Sequence, residues 1–301
     1  MLHSFTQSDF DEKIEAAYAL MKQCRLCPRA CGAERLENDT SGFCRSGRNP
    51  LIASVTPHYG EEPPLSGVSG SGTIFFGNCS LRCVYCQNYP ISQQGNGVER
   101  TPGELACQML WLQEQGCHNL NLVTPTHFMP PVLAALRIAR ERGFDLPIVY
   151  NSSGYESLEA LRILDGIVDI YLPDMRYSDD EPAMHYSEAP RYREINRAAV
   201  REMFRQVGNL VLDGRGIAQR GLIVRHLVLP GNRSGTEGTM RFLAGEISRD
   251  VWISLMGQYF PAYRSGEFGS LARKVTAEEY DDAVGIMEAC DLENGWIQEF
   301  E

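Results

Sequence analysis

Three cysteines stand close together in the run G-N-C-S-L-R-C-V-Y-C-Q-N, residues 77 to 88. Cys79, Cys83 and Cys86 are spaced C-x3-C-x2-C and follow a short strand-like stretch, Thr73-Ile74-Phe75-Phe76. Thiolates are soft ligands that favour iron–sulfur clusters, zinc or copper(I). Three thiolates are one short of the set that closes a structural metal site. On a cubane of four irons, that shortfall leaves one iron without a protein ligand and free to bind another molecule. On the residues alone, a zinc loop completed by a remote histidine is the alternative.

A second group precedes it: Cys24, Cys27, Cys31 and, after twelve residues, Cys44. Four thiolates complete a tetrahedral site, and C-x2-C is a common corner of zinc and iron–sulfur sites. Pro28, Gly32, Gly42 and Gly47 supply the tight turns of a small knuckle. Zinc, a single iron and a second iron–sulfur cluster are the candidate occupants, with metal-free thiols the remaining option. These two groups hold seven of the ten cysteines. That clustering points to metal ligation in a reducing compartment rather than to disulfides. Cys107, Cys117 and Cys290 fall in or beside helical stretches and read as packing residues.

Composition narrows the class. The 301 residues, 43% of them hydrophobic, can bury a sizeable core. The net charge of −11 argues against a nucleic-acid partner, which selects a basic face. Met1 to Lys13 shows no basic segment leading into an apolar one, so no secretory leader is expected. No apolar run reaches the roughly 18 residues that span a bilayer. A cytoplasmic protein with no membrane partner is the expectation.

The elements that must position these cysteines follow from periodicity. Ser8 to Lys22 reads as a packing helix opened by a Ser8/Asp11 capping pattern. Residues 50–72, rich in Pro and Gly, read as an irregular strap; His58, Glu61 and Glu62 could approach the site, but a solvated loop is the default reading for them. Gly67, Gly70 and Gly72 precede a strand instead of following one, which rejects a dinucleotide-binding loop. From Thr73 the chain alternates. Strands are expected at 73–76, 119–123, 146–151, 167–172, 222–229 and 251–256, and helices at 102–115, 131–142, 156–164, 194–207, 237–248 and 277–289. Thr101/Glu104, Ser234/Glu237 and Thr276/Glu279 mark helix starts, and Asp179-Asp180-Glu181 reads as a solvated loop. Six strand–helix units predict an α/β fold with an open, partial (βα)6 barrel over 73–301, preceded by helix, knuckle and strap over 1–72. Sites in such barrels gather at the C-terminal ends of the strands, where the loop of Cys79 lies. The other strand ends carry Thr124-Pro125-Thr126-His127, Asn151-Ser152-Ser153-Gly154 and Leu172-Pro173-Asp174-Met175-Arg176. Arg225 lies inside the apolar run from Leu222 to Leu229, where a guanidinium needs an anionic partner, and Asp174 is one candidate.

The loop resembles the signature of the radical S-adenosylmethionine (SAM) enzymes, with Tyr85 as the aromatic residue before the third cysteine. Residues 72–88 look most like the branch related to the pyruvate formate-lyase activating enzyme, and the likeness extends over roughly residues 20 to 265. The resemblance implies that Cys79, Cys83 and Cys86 each ligate one iron of a four-iron, four-sulfur cluster. Its fourth iron would chelate the amino and carboxylate groups of SAM. Reductive cleavage of SAM would then yield a 5′-deoxyadenosyl radical that takes a hydrogen atom from a substrate. It places Thr124, Pro125, Thr126 and His127 where the family has a glycine-rich segment that grips the SAM amino group, although this sequence lacks those glycines. Asn151, Ser152 and Ser153 would suit ribose hydroxyls. Asp174 would lie near the SAM carboxylate and ribose, Arg225 would pair with that carboxylate, and Gln258 would flank adenine. The implied function is hydrogen abstraction from a protein, peptide or small molecule, with activation of a glycyl-radical enzyme the favoured case. Flavodoxin or ferredoxin would serve as reductant. A non-catalytic iron–sulfur or zinc protein of electron transfer or assembly is the alternative.

Overall fold

The computed structural model describes residues 7–298; residues 1–6, on which part of the no-leader expectation rests, lie outside the described residues. Runs rich in β-branched and aromatic residues form strands. In chain order these are β1 (Leu51–His58), β2 (Ser71–Phe76), β3 (Val98–Glu99), β4 (Leu120–Val123), β5 (Ile148–Ser152), β6 (Ile170–Pro173), β7 (Val211–Leu212), β8 (Ala218–Leu227), β9 (Trp252–Met256) and β10 (Gly295–Ile297). The helices are α1 (Gln7–Lys22), α2 (Pro63–Ser66), α3 (Tyr89–Ser92), α4 (Pro102–Glu114), α5 (Met129–Glu141), α6 (Leu158–Leu164), α7 (Asp180–Ser187), α8 (Tyr192–Val207), α9 (Thr236–Phe242) and α10 (Ala277–Ala289). One sheet runs β10-β9-β8-β6-β5-β4-β2-β1-β3, with β7 paired to β8. From β2 through β10 along this order every neighbouring pair is parallel. The expected six parallel strands are all present, and β10 adds a short seventh at one edge.

Alternation along each strand divides the sheet into two faces. Ile74, Leu122, Tyr150, Tyr171, Val224 and Leu255 enter the large core under the helices. Val149, Ile170, Leu172 and Ile223 converge with Leu65 in a smaller core. Above that smaller core, a chamber is lined by residues of β2, β4, β5, β8, β9 and β10, so the parallel sheet wraps around it.

Three expectations need correction. Residues 50–72 are not an irregular strap: Leu51–His58 is a strand, antiparallel to β2 across the expected boundary at residue 72. Pro57 is tolerated because β3 covers β1 only at Leu51 and Ile52, so beyond those residues β1 is an edge strand. The acidic run at 179–181 is not a loop but the start of α7, with Asp180 and Glu181 in its first turn, where the helix dipole favours anions. The capping pairs at Thr101/Glu104 and Thr276/Glu279 form. Ser8, however, lies inside α1, and α9 is capped by Gly235, whose φ of 66° suits glycine. Ser234 instead accepts a hydrogen bond from the Leu229 amide at 3.3 Å.

Candidate active site

The loop carrying Cys79, Cys83 and Cys86 leaves the C-terminal end of β2 and is held from three sides. His127, fully buried after β4, bonds the Gly77 carbonyl through Nε2 at 2.8 Å. Burial lowers the His127 pKa to about 3, so the ring stays neutral. It is a packed histidine bracing the loop. From the N-terminal segment, Arg45 and Ser46 accept hydrogen bonds from the Asn78 carboxamide, whose residue has a φ of 65°. Phe43 lies between two guanidinium groups, Arg29 at 3.6 Å and Arg82 at 4.2 Å from its ring centre. Arg29 also donates to the Ser80 carbonyl at 3.0 Å. From α7, Tyr186 accepts the Val84 amide at 2.9 Å, and the Ser187 hydroxyl donates to Cys83 Sγ at 3.0 Å. The Ser187 oxygen is in turn 2.6 Å from the Tyr177 hydroxyl, which is 2.7 Å from that of Tyr85.

Burial, with the neighbouring thiols adding to it, pushes Cys79 up to about 12 and raises Cys86 as well. Cys79 accepts from the Leu81 amide at 3.3 Å, and Cys86 lies 3.1 Å from the Ser92 hydroxyl. Among the described residues no three His, Cys, Asp or Glu side chains are gathered around one point as a ready-made site for a metal ion. The donor set itself fits an iron–sulfur cluster: three soft sulfurs on one loop, each with a different neighbour, and a polarised hydrogen bond to one of them.

A cavity of about 200 Å³ opens beside Cys86 and is lined by Tyr85, Asp174, Arg176, Arg225 and Gln258 among others. Its charges form a buried relay. Arg225 Nε donates to Asp174 Oδ1 at 2.9 Å, Arg225 also donates to Asn151 Oδ1 at 2.7 Å, and Arg176 pairs with Asp174 from the other side. The charge of Asp174 holds the Arg176 and Arg225 pKa values above the usual guanidinium range against the opposing effect of burial. The anion that the apolar setting of Arg225 demanded is therefore an internal one, Asp174.

The remaining candidates divide. Tyr85, Asp174, Arg225 and Gln258 line the small cavity, and Asn151 lines the larger chamber next to it. Ser152 and Ser153 line neither: alternation along β5 turns Ser152 to the face opposite Asn151, and Ser153 is buried in the turn after the strand. Ser152 accepts the Gly154 amide, and Ser153 offers its carbonyl to Tyr192. Thr124 holds the left-handed φ of 61°, a strained setting for a β-branched residue, at the end of β4. Thr126 turns into the core, where its hydroxyl donates to Glu156 at 2.7 Å, and Pro125 is buried beside it.

In the N-terminal four-cysteine segment, expected to form a knuckle, Cys24, Cys27 and Cys44 are buried and Cys31 is exposed. Arg35 is 1% exposed and donates to the Ser46 and Gly47 carbonyls and, at 3.9 Å, to Cys24 Sγ. Among the described residues it makes no ion pair with a carboxylate. Cys117 is buried as expected, whereas Cys107 is exposed, with Arg142 on its sulfur.

Several residues escaped the sequence reading. Arg176 lies in the strand-end segment 172–176 but carried no signal of its own. Ser187 and Tyr177 reach the loop only through the placement of α7. Of the two readings of Glu61 and Glu62, the default of a solvated loop fails: the turn after β1 carries their side chains onto the concave face of the sheet, into the chamber.

A family model of the Radical SAM superfamily matches residues 73–243. Uncharacterized protein MJ0674 of Methanocaldococcus jannaschii is 29% identical over 293 residues, which is 94% of this chain and 79% of that one. Among solved structures, TYW1 with a lysine-pyruvate adduct bound is 10% identical with a TM-score of 0.44, over 74% of each chain. The radical SAM methyltransferase TsrM from Kitasatospora setae, with tryptophan substrate and a SAM analog bound, is 13% identical with a TM-score of 0.44, over 71% of this chain and 50% of that one.

Proposed function

Because this chain belongs to the Radical SAM superfamily, whose members carry a four-iron, four-sulfur cluster and cleave SAM, we propose that Cys79, Cys83 and Cys86 are its cluster ligands. The observation that carries this reading is the cavity beside Cys86 with its Asp174–Arg176–Arg225 relay at the strand ends. The bound cluster would supply the electron for reductive cleavage of SAM, and the substrate would give up a hydrogen atom.

The chain's own residues bind and orient. SAM carries an ammonium and a carboxylate, and the relay offers both signs of charge to such a pair. Asp174 would take the cationic end, while Arg176 and Arg225 would face the anionic end. Gln258 and Tyr85 would flank the nucleoside. The strained Thr124 marks the end of β4 as a place where backbone groups face the ligand. Ser187 would donate to a ligand sulfur and so favour the more negatively charged, reduced cluster.

The knuckle would bind its metal as thiolates through Cys24, Cys27, Cys31 and Cys44. What supports this is Arg35: a buried guanidinium without a carboxylate calls for another source of negative charge, and metal-bound thiolates provide it. Zinc or a single iron suits a closed four-thiolate set.

The loop's likeness to the activating-enzyme branch makes a glycyl-radical enzyme the finer substrate reading, with flavodoxin or ferredoxin as electron donor. A cytoplasmic setting is part of the same reading. No helix among the described residues is long and apolar enough to cross a membrane. Anaerobic reconstitution with iron and sulfide, followed by SAM and a low-potential reductant, tests the core of this reading. Methionine and 5′-deoxyadenosine should appear, and Cys83→Ala should abolish both. Cleavage at the parent rate by Cys83→Ala, or no cleavage by the reconstituted parent, would overturn it.

A further inference from the structure

The chamber next to the small cavity has a volume of about 570 Å³ and shares Asn88, Arg225, Met256 and Gln258 with it. Phe75, Val123, Met256 and Trp296 give it apolar walls. Its charged lining is unbalanced. Glu61 and Glu62 both face it, and the guanidinium among its lining residues, Arg225, is already bonded to Asp174 and Asn151. Arg225 comes no nearer to Glu61 than 3.9 Å, an ion-pair contact beyond hydrogen-bond range. Counted with Asp174, three carboxylates meet the two guanidinium groups of Arg176 and Arg225, and the His58 ring in the same lining acts on Glu61 more weakly than Arg225 does.

Two further observations point to a missing ligand. Glu62 is 8% exposed, and its Oε2 has no hydrogen-bond partner. Asn121, on the same face of β4 as Val123, is wholly buried beside Glu61, and its amide oxygen has no hydrogen-bond partner. Buried polar groups left in this state cost free energy that a donor entering the chamber would recover. Burial also raises the Glu61 pKa more than the Arg225 charge lowers it, as expected of a carboxyl short of a cation.

We propose that this chamber receives the reacting part of the substrate as a primary ammonium group held between Glu61 and Glu62. That it is the reacting part rests on the radical reading above; the binding itself does not. An ammonium brings three donors and one positive charge. Those serve the two carboxylates and cancel the excess negative charge, while the apolar walls take the attached methylene chain. A neutral hydroxyl leaves the charge unbalanced, and a carboxylate adds a fourth negative group.

Calorimetric titration of the cluster-loaded, full-length protein with pentylamine, 1-pentanol and pentanoate is the test. Pentylamine should bind about tenfold more tightly than pentanol or better, the size of one charge-assisted hydrogen bond, and pentanoate should not bind. Glu61→Gln and Glu62→Gln should each weaken pentylamine about tenfold and leave pentanol unchanged. Equal or tighter binding of pentanol or pentanoate, no binding of pentylamine, or parent-like amine binding by both variants overturns the proposal. Should a variant fail to fold, the ranking of the three probes on the parent protein still decides. SAM cleavage in the same preparation separates the two readings. Cleavage without amine selectivity overturns this proposal alone, and amine selectivity without cleavage overturns the radical reading alone.

Discussion

Replacing Arg225 by Met keeps most of the side chain's length and removes its charge, which isolates the relay. Asp174 loses a charge-assisted hydrogen bond of 2.9 Å, Asn151 loses its donor at 2.7 Å, and Glu61 loses a cation 3.9 Å away. Removing one partner of a buried ion pair costs about 3–5 kcal/mol. Asp174 keeps Arg176, so the lower end applies: Arg225→Met should destabilise by about 3 kcal/mol. Asp174→Asn should cost at least as much, about 3–5 kcal/mol, since it takes the anion from both Arg176 and Arg225, although Arg225 keeps Asn151 and the more distant Glu61. If the Asp174–Arg225 contact carries the energy its geometry implies, the double variant recovers about 1.5–3 kcal/mol of the summed cost. Anaerobic urea unfolding of the four loaded proteins, compared at a common slope, measures that coupling. Costs that simply add, to within about 0.5 kcal/mol, would show that Arg225 is held by something other than Asp174 and would refute the relay.

Three other outcomes are expected. Ser187→Ala removes the hydroxyl that donates to Cys83 Sγ, so the cluster's midpoint potential should move negative with its iron content unchanged; an unmoved potential removes Ser187 from that role. Glu156 is buried, and its pKa is raised from 4.5 to about 7, so the folded state holds its proton more tightly than the unfolded chain. Its contribution is therefore full below pH 4.5 and is lost as the pH rises through about 7. Within that window Glu156→Gln should flatten the parent's fall in stability by up to about 1.4 kcal/mol per pH unit, and identical slopes for the two proteins would sink the assignment. Cys27→Ala should lower yield and remove roughly one metal ion while SAM cleavage persists in the soluble fraction. Loss of about four irons and four sulfides in paired metal analyses would show a second cluster in the knuckle instead.

The six parallel strands and the long helices between them were legible from Thr73 onward because each such strand is a short apolar run bounded by turn residues, whereas short elements such as α7 and β10 were not. The cysteine loop stood out because its three thiols are local in sequence. What was not legible is non-local. Leu51–His58 hides as a strand because the prolines and glycines after it dominate the composition, and only an edge position lets Pro57 stay. Arg225 announced a need for an anion, but three-dimensional placement decided among the partners, and it chose Asp174. Strand alternation alone could have separated Asn151 from Ser152, because one residue of offset reverses the face. No pattern in the chain hints that Ser187 reaches Cys83, a contact spanning 104 residues.

The sandwich of Phe43 between Arg29 and Arg82 has a consequence for oxygen damage. Together with the Asn78 contacts to Arg45 and Ser46, it makes the knuckle a wall of the cysteine loop. Cys31 is the exposed thiol of that knuckle, and exposed thiols enter the oxidation ladder first. Air reaching Cys31 would loosen the knuckle while the parallel sheet still stands, since the sheet's own hydrogen bonds do not pass through residues 24–47. Damage entering there would stay local: it would weaken one wall of the cysteine loop and leave the parallel sheet and the three thiols of that loop in place.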